Sequence, residues 1–319
     1  MSIQTQMNLL VPSKLNKGDL IGVVSPASPI DDASRIERGV RYLEGLGYRV
    51  LVGSNVGKTK GYLAGTDEER AADLHAMFSN KQVKAVISVR GGYGTPRLLR
   101  LLNYRLIARN PKIFVGFSDI TALHLALWKK CRMITFHGPM LGVDMATGMD
   151  HFTEELFWQT VTSEKKLGKV SLADELPAVA LHPGSSSGRL LGGNLSLIVS
   201  LLGTPFQPEF TRSVLFIEEV GEEPYRIDRM LTQLNNASIL AKSRAILTGQ
   251  FSDCQPKDPS KPSSSVEELL REIAFTLRRP FLSNLPFGHV ARKMTLPIGI
   301  RVKVDATSGI LEYLESSVR

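Results

Sequence analysis

The sequence predicts an α/β protein of about two domains, the first built on a parallel sheet. Short apolar runs alternate with amphipathic stretches through the first half, the pattern of strand–helix units whose helices cover both faces of a sheet. The chain has 319 residues, and at roughly 100–200 residues per domain that length suggests two. Residues 163–187 are polar, with Pro177, Pro183, Gly184 and a serine triplet, and mark a boundary. The expected organisation is residues 1–165 as an N-terminal α/β domain, 166–187 as a linker and 188–319 as a C-terminal domain.

The elements follow in order. Leu20–Val24 reads as a buried strand and Ser34–Leu46 as a helix with Ile36, Val40 and Leu43 inward, closed by Gly47. Tyr48–Val52 is a strand. Thr66-Asp67-Glu68-Glu69 forms a capping box, in which the threonine hydroxyl accepts the amide of Glu69 and the glutamate reaches back; its helix runs to about Phe78. Val83–Val89 is a β-branched strand, Pro96–Leu102 a helix, Ile113–Val115 a strand, Ile120–Lys129 a helix and Met133–Phe136 a short strand. In the second half, strands are expected near Arg189–Leu191, Val214–Ile217, Ala245–Thr248, Arg301–Val304 and Ile310–Tyr313. Helices are expected at Asn194–Leu202, Pro224–Leu234 and Ser265–Leu277, with Asp253–Ser265 a surface loop.

Composition excludes several classes. The chain is 43% hydrophobic and 22% charged, ordinary for a folded protein rather than a disordered one. No apolar run approaches the ~18–20 residues that cross a bilayer. The first twenty residues lack a signal peptide's basic and apolar regions, so none is expected. Cys131 and Cys254 make no spaced framework, which argues against a disulfide scaffold or structural zinc and fits a reducing cytoplasm. A net charge of +8 raises the question of nucleic acid. Its distribution points elsewhere: no acidic residue lies between Asp73 and Asp119, where Lys81, Lys84, Arg90, Arg97, Arg100, Arg105, Arg109 and Lys112 fall. Without interleaved aromatics this basic stretch reads as solvated helix faces or as steering of a small anionic substrate.

Candidate chemistry starts at Gly116-Phe117-Ser118-Asp119, which ends a strand and opens a helix. A serine on such a turn projects its hydroxyl above the carboxyl edge of a parallel sheet, with the first helix amides facing a developing oxyanion. The local alternative is a helix N-cap at Ser118 or Asp119. Arg90-Gly91-Gly92-Tyr93-Gly94 ends the preceding strand. It is not a dinucleotide fingerprint, since Arg97 stands where the third glycine belongs; its amides are candidates for a second oxyanion donor, or it is a tight turn. A nucleophilic serine needs a base and the base an orienting acid. His75 and His124 sit within helical patterns, His151 starts a helix and His182 falls in the linker. His137 and His289 each read as ending a short strand, from which either could reach the crevice, and spacing does not separate them. Glu218 directly follows the apolar strand ending at Ile217, where a carboxylate is costly unless paired. No metal-binding or phosphate-loop motif is present, so no metal or cofactor is expected.

Taken together, GDLIGVVSPAS, GYLAGTDEERAADLHAMF, VKAVISVRGGYGTPRLL, PKIFVGFSDITALHLAL, TFHGPM, GRLLGGNLSLI, LFIEEVGEEPYRIDRMLTQL and PFGHVARKMTLPIGIRVKVD resemble, in family order, the LD-carboxypeptidases, the cytoplasmic muramoyltetrapeptide carboxypeptidases. The resemblance spans about residues 18–313, with no departure at the site positions. It implies an N-terminal α/β domain carrying the nucleophile and a smaller, β-rich C-terminal α/β domain, with the active site in the cleft between them. It further implies a triad of Ser118, Glu218 rather than Glu219, and His289 rather than His137, with the backbone amides of Gly92 and Asp119 as oxyanion hole. The implied reaction releases the terminal D-Ala of a murein tetrapeptide in peptidoglycan recycling, in a homodimer without cofactor, metal, nucleic acid or membrane. Arg90 is the candidate for the D-Ala carboxylate, or else part of a structural ion pair. A microcin-immunity branch of the family is the alternative; it cleaves a peptidyl or aminoacyl nucleotide and carries an aromatic-bearing loop before its glutamate. Here Arg189–Glu218 holds only Phe206, Phe210 and Phe216. A non-catalytic murein-fragment binder is a further alternative.

Overall fold

A computed structural model of the chain describes residues 8–170 and 178–319. Its elements are β1 (Leu20–Val24), α1 (Ser34–Gly45), β2 (Arg49–Val52), α2 (Asp67–Ser79), β3 (Val83–Ser88), α3 (Tyr104–Arg109), β4 (Ile113–Gly116), α4 (Thr121–Cys131), β5 (Thr135–His137) and α5 (His151–Thr162). They continue with β6 (Gly168–Val170), β7 (Val179–His182), β8 (Ser185–Asn194), α6 (Leu195–Ser200), β9 (Ser213–Val220), α7 (Pro224–Asn236) and α8 (Ile239–Lys242). The last are β10 (Ala245–Ser252), α9 (Val266–Leu277), β11 (Phe281–Ser283), β12 (Leu296–Ile298), β13 (Arg301–Asp305) and β14 (Ile310–Tyr313).

Two sheets organise the chain. The first has the order β12-β5-β4-β3-β1-β2, with β1 to β5 parallel. Its inner strands are mostly apolar and, apart from Lys84 in β3 and the first residue of β1, buried, because helices cover both faces. On one face Phe114 of β4 packs against Phe78 of α2 and His124 of α4. On the other, Trp158 of α5 meets Tyr42 of α1 and stacks on Tyr48. The capping box opens α2 as expected, with Thr66 accepting from the amide of Glu69 and the Glu69 carboxylate accepting from that of Thr66.

The second sheet has the order β6-β14-β13-β8-β9-β10-β11-β7 and is mixed: β8 to β11 run parallel, and antiparallel strands close each edge. Three expectations change here. The segment read as linker supplies both edge strands, β6 and β7, and the start of β8; residues 171–177, Pro177 among them, lie outside the described residues. Exposed edge strands need no apolar alternation, which is why this stretch reads as loop. The helix expected at Pro96–Leu102 is a 3₁₀ turn over Thr95–Leu98, followed by α3, which Asn103 caps by accepting from the Leu106 amide. Finally, β12 comes from the second half of the chain yet pairs antiparallel with β5. Its Pro297 is tolerated because an edge strand can spare an amide donor.

Two histidines are sealed into this fold. His124 donates from Nε2 to the Gly116 carbonyl at 2.8 Å, and burial pulls its pKa down to about 4. His137 packs against Phe117, Phe216 and Phe287, and burial above all, then competition with His124, His289 and Lys293 for positive charge, holds it well below the usual range. Both are neutral when folded but bind a proton near pH 6.5 when unfolded. Stability is therefore full above that pH and is lost as pH falls, by about 1.4 kcal/mol per unit for each histidine. Tm should drop steadily between pH 7 and 5; a flat Tm over that range would contradict this placement.

Candidate active site

The site gathers at the carboxyl ends of β1, β3 and β4. Ser118 follows β4 with φ of 63°, a left-handed backbone that costs a serine of order 1–3 kcal/mol. Neither Ser118 nor Asp119 caps α4, because no side chain accepts at that helix start. The Asp119 carboxylate instead accepts the Thr95 amide at 2.8 Å, and the Thr95 hydroxyl donates to the Asp119 carbonyl. Burial pushes the Asp119 carboxyl up, against the amides of Thr95 and Gly94 that favour its charge. This clamp ties the glycine loop after β3 to the serine turn.

The contact is tight. A Cβ on Gly91 would lie 2.8 Å from Ser118 Cβ, 3.0 Å from its Oγ and 3.3 Å from the Asp119 amide nitrogen. Gly91 is thus the closest loop residue to Ser118; neighbouring Gly92 backs onto Ser28. Ser28, after β1, accepts the Tyr93 amide and donates its own amide to the Gly91 carbonyl. Beneath them Arg70, fully buried, donates to the carbonyls of Pro26 and Gly94 and pairs with Asp67.

The second sheet brings Glu218 and His289. Successive residues of β9 part company. Glu218 accepts from His289 Nδ1 at 2.8 Å and is 0% exposed, while its Oε1 has no partner among the described residues. Glu219 accepts from Asn194, from the amide and hydroxyl of Ser196 and from the Val220 amide, anchoring the start of α6; burial raises its carboxyl against those donors. Gly288 lets the His289 loop pass so close that a Cβ there would sit 2.9 Å from Glu218 Oε2. His289 lies in a loop after β11 rather than at a strand end, held by Ser252, whose hydroxyl donates to the His289 carbonyl. Its ring meets Phe117, the residue before Ser118, edge-on at 5.1 Å. A carboxylate partner calls for Nδ1 as the donor, and in the neutral imidazole that leaves Nε2 as the acceptor nitrogen.

Phe117, Asp144, Thr147, His289 and Lys293 line a cleft of about 330 Å³. A larger groove, about 580 Å³, lies beside Tyr225 and Lys257 and includes none of these residues. Arg90 is tied to its own surroundings, donating to the Pro29 carbonyl at 3.1 Å and lying 3.8 Å from Asp31. The basic stretch is partly consumed as well: Arg97 pairs with Asp67, and Lys112 donates to the carbonyls of Asn80 and Val83 while burial lowers it to about 8. Among the described residues no cluster of three or more His, Cys, Asp or Glu could hold a metal, and no helix is long and apolar enough to cross a membrane.

Two α/β sheets meeting at a strained serine define the architecture of a serine-hydrolase-like fold. The chain matches the LD-carboxypeptidase N-terminal domain over residues 21–138 and the C-terminal domain over 187–304. It belongs to the LD-carboxypeptidase family and is a peptidase of the serine carboxypeptidase kind. A probable murein peptide carboxypeptidase of Bacillus subtilis is 41% identical over 92% of this chain and 91% of its own. The crystal structure of muramoyltetrapeptide carboxypeptidase from Oxalobacter formigenes superposes with TM-score 0.81 at 33% identity, over 92% of this chain and 97% of that one. The microcin C7 self-immunity protein MccF of Escherichia coli is 28% identical over 94% of each chain. A structure of MccF superposes with TM-score 0.90 at 26% identity, covering 97% and 100%.

The Gly91 contact yields a test. Gly91→Ala should fold with a near-normal Tm but push the serine off its position, and a displacement of about 1 Å at a reacting atom costs on the order of 100-fold. Labelling of Ser118 by a fluorophosphonate should slow at least tenfold; unchanged labelling would show that the loop does not constrain the serine.

Proposed function

We propose that this protein hydrolyses the L,D-peptide bond that holds the terminal D-Ala of murein tetrapeptides, in cytoplasmic peptidoglycan recycling. Ser118 attacks the carbonyl on the L-centre of the diamino acid. His289 takes the serine proton at Nε2 and passes it to the leaving D-Ala amine. Glu218 fixes the ring and stabilises the imidazolium. The amides of Gly92 and Asp119 receive the oxyanion. Water then repeats the sequence on the acyl-enzyme, with His289 again as base.

The observation that carries this reading is the buried Glu218–His289 bond, its imidazole packed against the residue before a strained serine. The names of the Bacillus and Oxalobacter relatives support the murein substrate. The likeness to MccF favours peptidyl nucleotides as the second reading. Against it, Phe206, Phe210 and Phe216 are all buried, so the stretch before Glu218 offers no exposed ring to stack on a nucleobase.

Release of free D-Ala from a meso-diaminopimelate tetrapeptide tests the proposal, beside a control ending in L-Ala. Wild type should release D-Ala and leave the control intact. Ser118→Ala and His289→Ala should lose at least about 10³-fold, and Glu218→Gln on the order of 10²–10⁴-fold. Full activity in Ser118→Ala would refute the nucleophile. No release by folded wild type, with cleavage of an aminoacyl nucleotide, would install the second reading.

A further inference from the structure

Lys293 and Asp144 are 149 residues apart and form a buried ion pair, Nζ to Oδ1 at 2.6 Å, with side chains 5% and 9% exposed. Both ends are fixed. Asp144 Oδ2 accepts the Met140 amide at 2.8 Å beside a π-helical turn over Leu141–Met145, a rare feature that is frequent at functional sites. The Lys293 amide donates to Thr153 Oγ1 of α5 at 2.8 Å. Burying two charges is costly, and an apolar pair of the same volume would serve the fold as well or better. The pair also lines the cleft that holds His289 and Phe117.

Its position relative to the reacting atoms is specific. Lys293 Nζ lies 4.2 Å from the centre of the Phe117 ring, over its face, and the same ring meets His289. The ammonium and the imidazole therefore both contact one ring, that of the residue before Ser118. An ammonium has three donors, and among the described residues Asp144 is the only hydrogen-bond acceptor for this one.

We infer that Lys293 and Asp144 form the far end of the acyl-side pocket and bind the free amino-carboxylate of a diamino dicarboxylic acid. This rests on the reaction proposed above. A free amino acid head carries one positive and one negative charge on the same carbon. Its carboxylate pairs with Lys293 and its ammonium with Asp144, so a ready-made pair of opposite charges complements it twice. A plain diamino acid such as lysine brings only an ammonium, which can pair with Asp144 but supplies no carboxylate for Lys293 and lies near its like charge. The pair is thus a specificity determinant for the residue donating the scissile carbonyl, a different role from the one considered for Arg90 at the D-Ala carboxylate.

The experiment compares kcat/KM for D-Ala release from three tetrapeptides, with meso-diaminopimelate, its side-chain carboxamide or L-lysine before the D-Ala. Wild type should favour the first by roughly 10–100-fold, the scale of a charge-assisted hydrogen bond. Lys293→Met should bring the three rates to within about threefold of one another. The double variant Lys293→Met/Asp144→Asn, which leaves no unpaired buried charge, should do the same with an intact fold by circular dichroism. Equal wild-type rates on the three peptides overturn the inference without any variant, as does a variant that slows all three by one common factor. If wild type releases D-Ala from none of them, the proposed reaction itself fails and this inference with it.

Discussion

Ser118 holds a backbone conformation that side chains avoid, and much of the molecule is arranged to keep it there. A strain of order 1–3 kcal/mol persists only where the surroundings leave no alternative. Here the turn is boxed in from several sides. Gly91 presses on the serine, Asp119 clamps Thr95, and buried Arg70 ties the loops after β1 and β3 to one guanidinium. None of these contacts supplies chemistry. Each removes a way for the turn to relax, so the hydroxyl is held in one place, as the proposed nucleophile would need.

The second constraint is that the serine and its proposed partners sit on different sheets, so the sheets must keep their spacing. The seam between them is built from short-range contacts. A Cβ on Gly193 would lie 2.5 Å from Thr121, the first residue of α4, and the Asn194 amide donates to the Thr121 hydroxyl at 3.0 Å. Asn194 in turn donates to Glu219, next to Glu218. One chain of hydrogen bonds thus runs from the helix behind Ser118 to the strand carrying Glu218. The pairing of β12 with β5 stitches the sheets a second time, so the halves are interleaved rather than merely tethered.

How much of this was legible in the sequence depends on whether the signal was local. The Thr66–Glu69 capping box and the apolar β3 and β4 declare themselves within a few residues and are found as read. The edge strands β6 and β7 do not, because an exposed edge has no buried face to impose a period. Three-residue β12, with its proline, carries no strand signal at all. At the site, Ser118 was visible as a strand-to-helix turn and Glu218 as a charge ending an apolar run, but His137 and His289 looked alike. What separates them is tertiary: three phenylalanines enclose one, and the other meets a carboxylate 71 residues distant in sequence. The family resemblance pointed to His289 because it integrates such long-range facts. It had nothing to say of Lys293 and Asp144, whose meaning appears only once the chain is folded.

Charge placement makes the same point in energetic terms. Exposed pairs such as Arg41 with Glu37 contribute a few tenths of a kcal/mol at most. The buried ones are few, and each is costly enough to require a reason. Arg70 is spent on loop carbonyls and Glu219 on the start of α6, so both are explained by backbone groups that need partners. Glu218 has one oxygen on His289 and one without a partner, an arrangement that serves an imidazole better than it serves stability. Lys293 and Asp144 are the pair left over: among the described residues their side chains hydrogen-bond to each other and to the Met140 amide, and Lys293 also lies over the Phe117 ring at the wall of the cleft. Arg70 and Glu219 are met largely by backbone groups, whereas this pair lines the cleft beside His289, which is what the proposed subsite requires.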